Sequence, residues 1–266
     1  MTTLKIIFLV FTFILGSVFA SFAGVIAYRV PKGKSILKPG SYCPACNNHL
    51  KWYDNIPILS WIILGGKCRN CKAKIGVFSL LMEIFGGLGF ASAYFMYGDD
   101  LKKLPIMIVL MLLVFLFMII ANIDYETHYI YSITLVIFAV FALFITLYKV
   151  FMFEVNIWPY IIGAAFGFGF FLLIKVLAKL AMKKDALGSG DVYLVGIAGF
   201  LLGIFPLLLA ILIATLLGSI IEVTKIKLKK QSRESEIAFG PYLLLGIGIL
   251  AIYGDAIMDL YWKVMS

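Results

Sequence analysis

Long apolar runs separated by short polar segments set the pattern of this chain. A helix needs about 20 apolar residues to cross about 30 Å of hydrocarbon, and the runs near 6–28, 76–97, 104–123, 129–149 and 158–181 meet that length. Residues 192–223 are also apolar, but as one helix they would measure about 48 Å at 1.5 Å per residue. Gly203 and Pro206 predict a break there, because proline cannot sit in a helix interior without losing a hydrogen bond. The split gives a short span at 192–203 and a second at 207–223, and a last span covers 240–262. The pattern therefore predicts an all-α polytopic membrane protein with about eight transmembrane helices.

Charge sets the weave. The loop from Arg29 to Lys74 carries nine Lys or Arg against the single acid Asp54, which marks it as retained on the cytoplasmic side. The first run is then an uncleaved anchor with its N-terminus outside, not a signal peptide. Eight passes also keep the segments 182–191 and 224–236 inside. Of the 23 basic residues, 18 fall in or beside cytoplasmic segments and five (Lys5, Lys102, Lys103, Lys149, Lys263) outside. A seven-pass weave would export the cluster Lys225, Lys227, Lys229, Lys230 and Arg233. Both termini are expected outside.

Composition sharpens the class. The 266 residues are 63% hydrophobic and 14% charged, against about 45–50% and 25% for soluble domains. The net charge of +9 sits in short loops with no basic, aromatic-lined groove, so a lipid bilayer, and not nucleic acid, is the expected partner. Glycine, alanine and serine are frequent in the spans, which suits close helix packing. No internal repeat or low-complexity segment stands out.

Two constellations carry chemistry. Cys43-Pro44-Ala45-Cys46 and Cys68-Arg69-Asn70-Cys71, 21 residues apart, have the spacing of a four-cysteine zinc ribbon. Four thiolates close a tetrahedral site, so the zinc would be structural, and His49 is expected at the surface. The second constellation is a pair of acids. Asp124 closes the run that begins at Leu104, and Asp191 follows Gly188-Ser189-Gly190 at the head of the short span. Under the eight-pass parity both emerge on one membrane face. Acids at membrane depth are costly and usually functional, although singly Asp191 also suits a helix N-cap and Asp124 a span end.

Two close carboxylates cannot both ionise easily, so they share a proton, and such a pair can activate water against a peptide carbonyl. Asp191 begins a helix and Asp124 ends one, so the helix dipole is expected to leave the resting proton on Asp124. Glu83, a third of the way along the second span, also calls for a partner or a role. Glu222 lies at the inner end of the seventh span; Lys175 and Lys179 are expected to snorkel, and His128 reads as a loop residue. Serine hydrolase, zinc protease and phosphate-loop motifs do not occur.

The chain resembles the type IV prepilin peptidases, membrane aspartic proteases also called leader peptidase/N-methyltransferases. The resemblance runs through Ser21 to Pro31, Ser41 to Cys46, Asp54-Asn55-Ile56-Pro57-Ile58-Leu59-Ser60-Trp61, Gly66 to Cys71, Ile123-Asp124, Gly188 to Val192 and Phe239-Gly240-Pro241. It implies an enzyme that cuts the leader of type IV prepilins or pseudopilins after a glycine and N-methylates the new terminus with S-adenosylmethionine. On the matching motifs, Asp124 and Asp191 are the catalytic pair, and Cys43, Cys46, Cys68 and Cys71 hold zinc. The expected domains are a first transmembrane helix (1–28), a cytoplasmic four-cysteine domain (29–75) and a transmembrane peptidase bundle (76–266).

Two departures stand out. Ile130-Tyr131-Ser132 replaces the usual Ile-Pro-Asp triplet, and Val77-Phe78-Ser79 replaces the Arg-Tyr-Pro stretch before the glutamate matching Glu83. Asp54 or Asp185 would receive the basic leader. The competing readings are a non-catalytic zinc-ribbon scaffold for pilus or secretion assembly and an ion-coupled transporter, which would place acids near mid-bilayer between repeated halves.

Overall fold

A computed structural model of the chain describes residues 3–182, 187–228 and 238–265. Its elements are helices: α1 (Thr3–Arg29), the short α2 (Leu59–Ile63), α3 (Val77–Tyr97), α4 (Leu104–Thr127), α5 (Ser132–Phe153), α6 (Trp158–Met182), α7 (Ser189–Leu202), α8 (Ile204–Lys227) and α9 (Gly240–Met265). Seven of them are long and apolar enough to cross a membrane, and α7 is a shorter apolar helix of 14 residues. At 1.5 Å per residue α7 spans only about 21 Å, short of the hydrocarbon thickness. The break before α8 falls at Gly203, whose φ of 78° ends α7. Pro206 does not make the break. It sits in the first turn of α8, where a missing N–H costs nothing.

Two compact units divide the described chain, one ending at Asn122 and the other starting at Ile123, near the end of α4. In the first unit α1 packs on α3 through small residues: a Cβ on Gly87 would meet Ser17 Oγ at 2.5 Å, and one on Gly86 would meet Ala20. Without a hydrophobic drive between helices in lipid, such close backbone contact supplies the attraction. Phe19 then stacks on Phe90 and meets Phe115 of α4 edge-on. An ion pair between Lys5 and Asp99 puts the start of α1 and the end of α3 at the same end of this unit.

In the second unit Gly163 of α6 lies against Gly199 of α7, backbone to backbone. Thr146 of α5 donates to the Phe200 carbonyl of α7 (2.9 Å), and Lys149 of α5 pairs with Asp255 of α9 (2.7 Å). These contacts fix α6 against α7, and α5 against both α7 and α9. The basic residues Lys183, Lys184, Lys229, Lys230 and Arg233, and the acid Asp185, lie outside the described residues.

Candidate functional site

The cysteine loop is built from two copies of one turn. Asn47 N–H donates to the Cys43 carbonyl and Lys72 N–H to that of Cys68; Cys43 N–H reaches Asn48, and Cys68 N–H reaches Ala73. Isolated bridges Tyr42 to His49 and Lys67 to Lys74 close the two turns, and the residue after each second cysteine, Asn47 or Lys72, has a positive φ of 57° or 59°. This is a local repeat of 25 residues. The sequence hides it, because apart from the cysteines the two copies share little side-chain identity.

The four sulfurs lie within 4.8 Å of one another, and Cys43 and Cys71 are 3.8 Å apart. Metal–sulfur bonds of about 2.3 Å in a tetrahedron require about 3.8 Å between sulfurs, so the cluster could hold a metal ion. Backbone N–H groups of Cys71 and Asn70 draw the Cys68 thiol down to about 7. At Cys71 the Ala73 N–H pulls down, but burial and the neighbouring sulfurs outweigh it and push the thiol up to about 11. Crowded thiols that resist joint ionisation are the arrangement a cation relieves. His49 is exposed and outside the cluster. Asp54 is engaged by Arg69, whose Nε and Nη2 both donate to its Oδ1 at 3.0 and 2.8 Å, so it does not stand free to receive a basic leader.

The two acids both belong to the second unit, and the structure gathers them at one end of it. Asp124 is buried, 5% exposed, because α4 continues a full turn beyond it to Thr127. Its Oδ2 accepts the N–H of Gly240, the first residue of α9, at 3.1 Å. That N–H belongs to the group at a helix start with no intrahelical acceptor. Any Cβ at Gly240 would meet Asp124 Oδ2 at 2.5 Å, so glycine is what permits the contact. Phe239-Gly240-Pro241 thereby gains a physical role, and the signal available in the sequence was a Gly-Pro pair opening the last apolar run.

Asp191 is not the N-cap of α7. Gly188 holds that position, and Asp191, three residues on, reaches back to the Gly188 N–H, the carboxylate half of a capping box. The two carboxylates lie close enough to feel one another's charge, and Asp191 feels Lys175 as well. Ile130 locks the pair of segments together, since a Cβ on Gly190 would meet the Ile130 Cβ at 2.8 Å. Ile130, the one position of the usual triplet that this chain keeps, is thus a buried packing contact. Both acids face a helix N-terminus, so the dipole argument that put the resting proton on Asp124 no longer separates them.

A second layer was not legible in the sequence. Glu222 of α8, 7% exposed, accepts from Tyr242 of α9 (2.8 Å) and Lys225 (2.7 Å). It fixes the first turn of α9, whose leading N–H reaches Asp124. Glu83, in the first unit, also has partners: its Oε2 accepts the Ile58 N–H at 2.7 Å, and it bonds the Ser21 hydroxyl. His128 is exposed, with a φ of 54° just past the end of α4.

A polytopic membrane protein with a four-thiol loop in one unit and a pair of carboxylates, one buried and one half-buried, in the other is the class these features define. Comparison with known proteins narrows it. Residues 14–97 match the family described as Bacterial Peptidase A24 N-terminal domain, and residues 108–223 match the Type IV leader peptidase family. The chain is 30% identical over 225 residues to a type 4 prepilin-like proteins leader peptide-processing enzyme of Escherichia coli, covering 84% of this chain and 78% of that one. Two prepilin leader peptidase/N-methyltransferases are also similar. That of Myxococcus xanthus is 34% identical over 82% of this chain and 63% of its own length, and that of Bacillus subtilis 29% identical over 95% and 97%. The chain belongs to the type IV leader peptidase family. No solved structure matches it.

Proposed function

We propose that the chain is a membrane aspartic endopeptidase that removes the leader of prepilins or pseudopilins after a glycine, at the cytoplasmic face. The observation that carries this reading is the meeting of Asp124 and Asp191 at one end of a single packed unit, each carboxylate held by a helix-start N–H. In the reaction the ionised member of the pair takes a proton from water as that water attacks the scissile carbonyl. The protonated member gives its proton to the carbonyl oxygen; as the C–N bond breaks, the proton taken from water passes to the leaving amine and the first donor recovers one from the gem-diol hydroxyl. Because the sites are coupled, a pH–rate profile reports two values that belong to the pair.

The four cysteines would hold zinc as a structural ion, which when bound fixes the loop's two turns against each other. Methylation is implied by the names of the relatives. One cavity of about 440 Å³, lined by residues such as Ala139, Ala164, Phe168 and Ile197, is apolar and does not suit the donor S-adenosylmethionine, which carries a sulfonium, an ammonium and a carboxylate. We derive no step through it.

The acids also weigh against a transporter, since they gather at an end of the unit and not at its middle. A non-catalytic scaffold is separated from a peptidase by one assay. Membranes bearing the protein are incubated with a prepilin, and leader loss is followed for wild type, Asp124→Ala and Asp191→Ala. Cleavage by wild type with none by either variant is expected. Cleavage that persists in either variant overturns the scheme, and none by wild type favours the scaffold.

A further inference from the structure

The stretch Trp52 to Ile63 has no place in the chemistry above, yet it is oddly apolar for a loop. Trp52 and Ile63 are 78% and 75% exposed, and Leu59 and Ile62 are also exposed. Leu59, Ile62 and Ile63 stand at positions i, i+3 and i+4 of α2, so they share one face. Trp61 points the other way, packing over Gly66 and donating to the Ile75 carbonyl. The outward face has no partner in the loop.

Its depth is fixed by Glu83. At 1.5 Å per residue the 21 residues of α3 span about 31 Å, the thickness of the hydrocarbon, so Val77 lies near its edge and Glu83 about 9 Å further in. Glu83 accepts the N–H of Ile58, the residue just before α2, and bonds Ser21 of α1. Ile58 is a β-branched residue at a φ of 64°, a conformation kept only where its surroundings impose it. A free N–H at that depth has no water to bond, and a carboxylate there needs donors. Each group solves the other's problem.

The geometry points to α2 as a membrane-interface element: its Leu59, Ile62 and Ile63 face is seated in the acyl edge of the bilayer, and Glu83 is the post from which it hangs. Trp52 takes the interfacial position tryptophan favours, while the same loop carries exposed Lys51, Lys67, Lys72 and Lys74, charge that suits anionic headgroups. The occupant of the face is lipid. This does not depend on the chain's being a peptidase.

The test uses the full-length protein in phosphatidylethanolamine/phosphatidylglycerol vesicles, with a diazirine-bearing leucine analogue in place of Ile63. Control positions are Phe11 on α1 and Leu101, an exposed residue of the turn after α3. Mass spectrometry after illumination is expected to find lipid adducts at position 63 at the level of position 11, and at least severalfold above position 101. Adducts no more frequent than at position 101, or adducts to a second copy or another protein, overturn the proposal. In parallel, hydrogen exchange at the Ile58 amide should quicken at least tenfold in Glu83→Leu but stay slow in Glu83→Gln, which keeps an acceptor. Unchanged protection in Glu83→Leu would remove Glu83 from the account. If that variant does not fold, fast exchange in Glu83→Gln does the same.

Discussion

Gly240→Ala is the perturbation that separates chemistry from fold most cleanly. A Cβ at this position would stand 2.5 Å from Asp124 Oδ2 and 3.0 Å from its Cγ, so the carboxylate must swing away from the Gly240 N–H that it accepts at 3.1 Å. The atom that yields is the free end of a side chain, not backbone, and Gly240 is not among the residues with positive φ. The helix should therefore form as before, with the cost falling on the acid. A hydrogen bond to a charged group is worth about 1.5–3 kcal/mol, and each 1.36 kcal/mol of barrier is tenfold in rate. Losing the contact that orients Asp124 is thus expected to lower kcat on the order of 10- to 100-fold, with KM little changed. The assay is the time course of leader loss from a prepilin in proteoliposomes, with thermal unfolding in detergent measured beside it. Gly169→Ala is the control, because a Cβ there meets nothing within 4 Å. Wild-type kcat in Gly240→Ala refutes the reasoning. So does an equal loss in Gly169→Ala.

Other outcomes follow from the same contacts. Glu222→Leu leaves the half-buried Tyr242 and Lys225 without their acceptor and should lower stability by about 1–3 kcal/mol, with Glu222→Gln restoring most of it; equal melting temperatures for the two would count against the Glu222–Tyr242 anchor. Chelation, or Cys68→Ser, should release bound zinc and open residues 43–71 to limited proteolysis while the helices persist; an unchanged digestion pattern would argue against a structural metal. The Arg69 guanidinium holds the Asp54 carboxyl below its ordinary 3.8. A depressed folded pKa stabilises fully above the unfolded value and ever less as pH falls through the folded one. The difference in melting temperature between wild type and Asp54→Asn should therefore be flat from pH 7 to about pH 5 and shrink below pH 4.

The acids show where sequence reading stopped. Asp124 and Asp191 were visible as charges at the ends of apolar runs, because a charge in such a run carries a desolvation cost that any residue-by-residue reading detects. Their exact surroundings were not visible. The N–H of Gly240 reaches Asp124 from 116 residues away, and nothing in a local window records that separation. Glu222 and Tyr242, 20 residues apart on different helices, escaped for the same reason, as did the pairing of Glu83 with Ile58. In each case one polar group is unremarkable until its partner is brought to it.

By itself the sequence determined which apolar runs become helices and in what order. Hydrocarbon thickness and the need to satisfy every backbone N–H and C=O within a span leave little else for long apolar runs to become. It also determined the cysteine cluster, since two short Cys-x-x-Cys turns carry their own geometry. Only the tertiary structure decided which helix N-terminus faces which carboxylate, why Ile130 stands where it does, and that Gly203 alone, without Pro206, makes the break the sequence put there. Those choices depend on helix packing through glycine contacts such as Gly163 on Gly199, and packing in lipid is set by close shape complementarity, which an apolar pattern does not encode.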